Sequence, residues 1–162
     1  MDGEVIITMK IAVVNGPNLN FAGIREPLIY GRETLAEINK QIEAEADILA
    51  EQNLVNIFLE FFQSNSEGAL IDFIQKCHLE NFDGLIINPG AFAHYSYALR
   101  DAVASVAMPA IEVHMSNPNS REDFRQKSVI SPVCRGVICG FRTYGYTLAI
   151  QAIIKINLEV FE

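Results

Sequence analysis

The chain has 162 residues, half of them hydrophobic, and a formal net charge of −8 at pH 7. Its length and apolar content predict one compact domain with a full hydrophobic core rather than two domains. The acidic balance argues against a nucleic-acid-binding surface, and no apolar run is long enough to predict a membrane-spanning helix.

The beginning of the chain and its cysteines indicate the cellular compartment. Residues 1–9 are interpreted as an N-terminal extension, with Met9 as an alternative start, and residues 10–162 as the folded domain. The first residues lack the basic start and the long apolar stretch of a signal peptide. The absence of a C-x-x-C pair favours reduced thiols over disulfides or a zinc site, and so a cytoplasmic protein. The cysteines are Cys77, Cys134 and Cys139.

Five short apolar runs alternate with amphipathic patterns along the chain. Their hydrophobicity is continuous rather than alternating, which is typical of strands buried on both faces of a parallel sheet. These predicted strands are residues 11–14, 55–62, 84–87, 110–113 and 137–139.

Helical patterns lie between and after these runs. Thr34 and Glu37 form a capping box that predicts the start of the first long helix, and a second box, Ser64 with Glu67, predicts the start of the next. A third helix is predicted to begin near Ser96, and a last one to cover 144–158. The predicted inward-facing residues are Leu35, Ile38, Ile42, Ala46, Leu49, Leu70, Ile74, Cys77, Ile150, Ile153 and Ile154.

The regular alternation of strand and helix predicts an α/β fold. Right-handed crossovers give a single three-layer doubly wound domain, with a flavodoxin-like five-stranded parallel sheet of order 2-1-3-4-5. Ligands of such sheets bind outside the carboxyl ends of the strands. Four predicted strands end in polar segments, NGPNLN, QSNSEG, NPGAFAH and HMSNPNSRE. The sequence therefore predicts a binding site at that edge of the sheet.

The segment 111–125 carries the densest set of candidate catalytic groups. Glu112 precedes His114 by two residues on the same strand face, where its carboxylate could accept from one ring nitrogen. Arg121 and Arg125 are four residues apart, which on a helical turn places both guanidinium groups on one face. An imidazole beside two cations suits an anionic substrate that exchanges a proton. The alternatives are a satisfied core histidine and helix ion pairs with neighbouring acidic residues.

The loop 21–32 is too long for an ordinary connection and is predicted to be a lid. It contains Arg25 and Tyr30. A free phenol has a pKa of about 10 and is a poor base at neutral pH, but a nearby cation favours its phenolate. The alternative is a tyrosine that packs its ring and exposes its hydroxyl. His94 is a further candidate, with a surface loop residue as its alternative, whereas His78 is assigned to a helix surface.

No cofactor motif is found in the sequence. The glycines at 136, 140 and 145 do not form G-x-G-x-x-G, and G-x-x-x-x-G-K-[ST] is absent. The first strand is followed neither by hydroxyl residues for a flavin phosphate nor by the acidic residues of a phosphoacceptor. We therefore expect chemistry that uses no cofactor and no metal.

Five spaced motifs occur in order: NGPNLN, G-x-REP-x-x-YG, QSN-x-EG-x-LID, NPGA-x-x-H-x-S-x-ALRD and EVHMSNPNSREDFR. With them the chain resembles type II 3-dehydroquinate dehydratase over nearly everything from Lys10 to Leu158. The resemblance implies a cofactor-free anti elimination of water from 3-dehydroquinate, through an enolate, to give 3-dehydroshikimate. The pathway would be the shikimate route of aromatic biosynthesis or the breakdown of quinate.

The resemblance also implies a role for each catalytic residue. Tyr30 would be the general base that removes the C2 proton, with Arg25 stabilising its phenolate. Asn18 would position a water against the enolate oxygen. His114 would protonate the departing C1 hydroxyl.

Substrate binding and assembly follow from the same resemblance. Asn88 and the backbone N–H groups of Met115 and Ser116 would bind the carboxylate. The ring hydroxyls would contact His94 and Arg125, and Arg121 would hold the lid in place. Asp101 matches a residue that in the family reaches a neighbouring subunit's site, which implies a homo-oligomer, at least a trimer and commonly a dodecamer built as a tetramer of trimers.

The chain departs from the family pattern at the rim of the predicted pocket. Ala93 and Tyr95 flank His94, Pro118 follows the Ser-Asn pair, and 126–127 are Gln-Lys where a His-containing pair is frequent. Two other functions stay open, a non-catalytic binder of small cyclic hydroxy acids and a dehydratase of a different cyclic acid. The presence of both predicted proton-transfer groups counts against a pure binder.

Overall fold

The computed structural model of the protein describes residues 6–159. One sheet is formed by β1 (Thr8–Asn15), β2 (Asn56–Gln63), β3 (Gly84–Asn88), β4 (Ala110–His114) and β5 (Gly136–Cys139). The strands follow the order β2-β1-β3-β4-β5, and all neighbours are parallel. The predicted doubly wound, flavodoxin-like topology is therefore confirmed.

The sheet begins before the predicted domain boundary. Thr8 pairs with Asn56, and Met9 is buried in the core, so these last two residues of the predicted extension belong to β1. Residues 1–5 of that extension lie outside the described residues, as do 160–162.

The helices are α1 (Pro27–Tyr30), α2 (Leu35–Asn53), α3 (Glu67–Leu79), α4 (Tyr97–Ser105) and α5 (Tyr144–Leu158). Because successive strand residues point to opposite faces, Ile11 and Val13 pack with α2 and α5, while Ala12 and Val14 pack with α3 and α4. Both faces of the central strands are thus covered, which explains their continuous apolar runs.

The first predicted helix cap is confirmed and the second is wrong. Thr34 accepts from the Glu37 backbone N–H, and the Glu37 carboxylate accepts from the Thr34 N–H. The N-cap of α3 is Ser66, not Ser64, because the Ser64 hydroxyl accepts from the Ser66 N–H in the turn before the helix. The Glu67 carboxylate instead accepts from the hydroxyl of Ser96, the N-cap of α4. The predicted inward-facing residues are buried, except Leu35, which is half-buried.

Three sequence-based expectations concern thiols, membranes and metals. All three cysteines are free. Between residues 6 and 159, no helix is long and apolar enough to cross a membrane. In the same described part of the chain, no group of three or more His, Cys, Asp or Glu side chains could hold a metal ion.

Candidate active site

A cleft opens at the carboxyl ends of β1, β3 and β4. Its walls come from the loop after β1, the predicted lid, and the segments after β3 and β4. Among the predicted site residues, Asp101 does not line it and is exposed on α4. The predicted residues that line the cleft are Asn18, Arg25, Tyr30, Asn88, His94, His114, Met115, Ser116, Arg121 and Arg125.

The loops after β1 and β3 pass very close to each other. The Gly16 N–H donates to the Asn88 backbone oxygen at 2.7 Å, and a Cβ on Gly16 would lie 2.4 Å from the Pro89 carbonyl oxygen. Any side chain at this position would push the two loops apart. Asn18 follows with φ of 68°, a left-handed conformation that asparagine tolerates better than most residues. This turn brings Asn18 to the wall of the cleft.

Tyr30 lies at the end of α1 beside two arginines. Arg121 Nη1 donates to the Tyr30 hydroxyl at 2.6 Å. The guanidinium carbons of Arg25 and Arg121 lie 5.4 and 5.3 Å from the centre of the Tyr30 ring. Arg25 also pairs with the exposed Glu26 carboxylate at 3.2 Å. Both guanidinium groups lie against the phenol, and the one that contacts its oxygen is Arg121, not Arg25.

The predicted helical turn carrying Arg121 and Arg125 is wrong. Two 3₁₀ turns, Pro118–Ser120 and Asp123–Arg125, are separated at Arg121, which has an extended backbone with φ of −113° and ψ of −164°. The two side chains therefore share no helix face. Both side chains still line the same cleft.

The ion pairs of these arginines differ. Arg125 Nε lies 2.8 Å from the Glu122 carboxylate, as in the alternative interpretation, although its side chain is only 17% exposed and also lines the cleft. Arg121 Nε is 3.8 Å from the same carboxylate, and its Nη1 donates to Tyr30 and to the Ser116 hydroxyl. Glu122 therefore holds both arginines at the cleft from the outside.

His114 is supported by a buried carboxylate, as its spacing from Glu112 predicts. His114 Nε2 lies 2.5 Å from Glu112 Oε1, and the Glu112 side chain is completely buried. The hydroxyls of Ser128 and Ser131 donate to the same carboxylate at 2.9 and 2.6 Å. Burial raises the pKa of Glu112, but the hydrogen bonds from His114, Ser131 and Ser128 outweigh it and hold the pKa below its ordinary value. An anionic carboxylate therefore stands behind the imidazole.

His94 lines the cleft, but the two unusual residues that flank it in the sequence do not. His94 Nδ1 lies 2.9 Å from the Lys127 carbonyl oxygen, an arrangement that orients the ring. Ala93 is buried, and its carbonyl accepts from Val129 N–H at 2.7 Å. Of the departures from the family pattern, Pro118 lines the cleft, whereas Ala93 and Tyr95 do not.

Several residues of the site were missed by sequence reasoning. Ser128 and Ser131 lie 16 and 19 residues from Glu112, and no local pattern signals their contact. Tyr146 had a usable signal, because a tyrosine within the apolar face of a helix needs a hydrogen-bond partner. Its hydroxyl contacts Asn88 and Asn15 beneath the cleft. The missed apolar residues of the wall are Pro17, Leu19, Phe21, Ala22 and Ala91.

Known proteins resemble this chain over nearly its whole length. The sequence model of the family described as dehydroquinase class II matches residues 9–154. The 3-dehydroquinate dehydratase of Campylobacter jejuni is 51% identical over 152 residues, covering 94% of this chain and 91% of that protein. The crystal structure of a type II dehydroquinase from Butyrivibrio crossotus superposes with a TM-score of 0.83 at 50% identity, covering 90% of this chain and 97% of that one. A type II dehydroquinase from Propionibacterium acnes gives 0.83 at 33% identity, covering 93% and 99%.

Proposed function

The chain belongs to the class II dehydroquinase family, and we propose that it is a 3-dehydroquinate dehydratase, a hydro-lyase of the shikimate pathway. The observation that carries this function is the composition of one cleft. Tyr30 stands there beside two guanidinium groups, and His114 stands there against a buried carboxylate. A non-catalytic binder would need neither arrangement.

Proton removal is the first step. Tyr30, as phenolate, takes the C2 proton next to the ketone, and the electrons of the C–H bond move to the ketone oxygen to form an enolate. The guanidinium groups of Arg25 and Arg121 compensate the negative charge of the phenolate. Asn18 positions a water against the enolate oxygen. These residues line the same cleft, which supports their joint action.

Loss of water is the second step. His114, with both ring nitrogens protonated, donates a proton to the C1 hydroxyl. The C1–O bond breaks, the enolate collapses to the ketone, and the C1–C2 double bond forms as water leaves. The anionic Glu112 compensates the positive charge of the imidazolium before transfer. Tyr30 then releases its proton to solvent, and His114 regains one.

The remaining cleft residues bind the substrate. Asn88 and the N–H groups of Met115 and Ser116 hold the carboxylate, while His94 and Arg125 contact the ring hydroxyls. The arginines of the cleft supply local positive charge for an anionic substrate in a chain whose net charge is −8. These steps require neither a cofactor nor a metal.

We further propose that the protein is a cytoplasmic homo-oligomer, a dodecamer built as a tetramer of trimers. Asp101 is exposed on α4, away from the cleft of its own subunit. It is therefore available to complete the site of a neighbouring subunit. The three free thiols suit a reducing compartment.

A direct test is to add 3-dehydroquinate to the purified protein and follow the ultraviolet absorbance of the conjugated enone. Rising absorbance that depends on protein concentration is expected. Saturable binding of 3-dehydroquinate without enone formation would instead identify a binder. Enone formation from another cyclic acid, with none from 3-dehydroquinate, would identify a dehydratase of different specificity.

A further inference from the structure

Tyr146 is a buried residue of α5 that contacts the carboxylate-binding side of the cleft without lining it. Only 1% of the residue is exposed, and burial raises the pKa of its phenol far above the ordinary value, so the hydroxyl stays protonated. Asn88 Nδ2 donates to this hydroxyl at 3.0 Å, and the hydroxyl donates to Asn15 Oδ1 at 2.6 Å. Asn15 and Asn88 are 1% and 4% exposed.

The hydrogen count of this group determines the orientation of the Asn88 amide. A phenol has one hydrogen, and Asn15 accepts it, so the Tyr146 oxygen can only accept from Asn88. At the other end of the amide, the Gly90 N–H donates to Asn88 Oδ1 at 3.3 Å. Both ends of the amide are therefore assigned, which leaves the second Asn88 N–H for the cleft that Asn88 lines.

We propose that Tyr146 is a positioning residue that makes Asn88 a hydrogen-bond donor toward the cleft and thereby selects a carboxylate as its ligand. The inference rests on the proposed function where it assigns the substrate carboxylate to Asn88. Were the amide reversed, Asn88 would present a carbonyl oxygen to a carboxylate, and two acceptors would face each other.

The substitution Tyr146→Phe removes the hydroxyl and keeps the ring that packs in the core. The Asn88 amide then loses one of the two partners that hold its orientation, and only the Gly90 N–H remains. Because a carboxylate contact is made in both the ground state and the transition state, KM for 3-dehydroquinate should rise about tenfold while kcat stays within about threefold. Tyr144→Phe is the matched control, since Tyr144 lies two residues earlier in α5 and is 52% exposed. It should change neither constant.

Ligand selectivity separates positioning from simple packing. Calorimetric titration with quinate and with its primary carboxamide should show that the parent prefers the carboxylate, and that Tyr146→Phe loses about tenfold of this preference. Asn15→Ala is the second variant, because it removes the acceptor of the Tyr146 hydrogen and frees the hydroxyl to turn that hydrogen toward Asn88, in competition with the Gly90 N–H, while the tyrosine remains. The same loss is expected.

The outcomes are distinguishable. Unchanged KM and unchanged preference for the carboxylate in both variants, with only a lower melting temperature, would overturn the proposal and leave Tyr146 a packing residue. A parent protein that forms no enone but binds quinate more tightly than the carboxamide would refute the proposed function and leave the role of Tyr146 testable by titration alone.

Discussion

Glu112→Gln isolates the charge of the carboxylate behind His114. The Ser128 hydroxyl accepts from the N–H groups of Ile130 and Ser131, so its own hydrogen is committed to residue 112. The Ser131 hydroxyl has no such commitment and can turn to accept from a glutamine amino group. A glutamine therefore fits, with its oxygen toward His114 and Ser128. The substitution removes a negative charge and leaves every buried polar group with a partner.

The size of the effect follows from the contact that changes. A hydrogen bond to a charged group contributes about 1.5–3 kcal/mol and a neutral one about 0.5–1.5 kcal/mol, a difference of about 1–2 kcal/mol. Because Glu112 is completely buried and the His114 side chain is only 12% exposed, solvent screens this contact little. At about 1.36 kcal/mol per factor of ten, kcat should fall roughly 5- to 30-fold.

The assay is the pH dependence of enone formation in the parent and in Glu112→Gln. Without the negative charge the proton-donating imidazole loses the charge of its partner, so kcat should be lower across the pH range. The control is Glu60→Gln. Glu60 lies on β2, is partly exposed and pairs with Lys76, so its substitution should change neither kcat nor the pH profile. Parental kcat across the pH range in Glu112→Gln would show that the charge of the carboxylate does not support the acid.

Three further predictions concern the lid, the assembly and the thiols. Trypsin should cut after Arg25 or Arg32 in the free protein and more slowly with quinate bound, because the lid is anchored by few buried side chains; equal rates would count against closure. Light scattering should give a mass close to twelve chains, and a fully active monomer would refute the shared site at Asp101. Burial raises the pKa of Cys77 to about 11, and burial together with the nearby Glu112 charge raises the pKa of Cys134 to about 12. Mass spectrometry at pH 8 should therefore find that iodoacetamide labels these two cysteines far more slowly in the native than in the unfolded protein.

The fold was predictable because the strands of a parallel sheet leave a distinct pattern in the sequence. Ile11 and Val13 face one helical layer and Ala12 and Val14 the other, so the whole run must be apolar. The location of the cleft followed from the topology, since parallel strands bring their carboxyl ends to one edge. Local patterns made His114, Tyr30 and the nearby arginines candidates, the family resemblance gave the roles of all the site residues, and those roles stay predictions.

What the sequence did not predict depends on local competition or on distant contacts. Ser64 and Ser66 both precede Glu67, and either hydroxyl could cap α3. The cap is Ser66, because the Ser64 hydroxyl accepts from the Ser66 N–H in the preceding turn. The extended backbone at Arg121 breaks the turn assumed from its spacing to Arg125. Other contacts that the sequence did not predict join residues far apart in the chain.

Tyr146 is the clearest case of a distant contact. It lies 131 residues from Asn15 and 58 from Asn88, and no local periodicity encodes that meeting. Its position on the inner face of α5 was predictable, but its partners depend on how α5 packs across the sheet. Packing of this kind is a property of the folded chain and not of any short segment.

The assignment of Tyr30 as base and His114 as acid is tested most directly by hydrogen exchange at C2 of 3-dehydroquinate in deuterated solvent, measured together with enone formation. Tyr30→Phe should abolish both exchange and dehydration while substrate binding largely survives. His114→Ala should lose dehydration by on the order of 10²-fold or more and retain slow exchange, because the enolate forms without the acid. Turnover by Tyr30→Phe within a few-fold of the parent would contradict the assignment and leave the lid tyrosine as a packing residue.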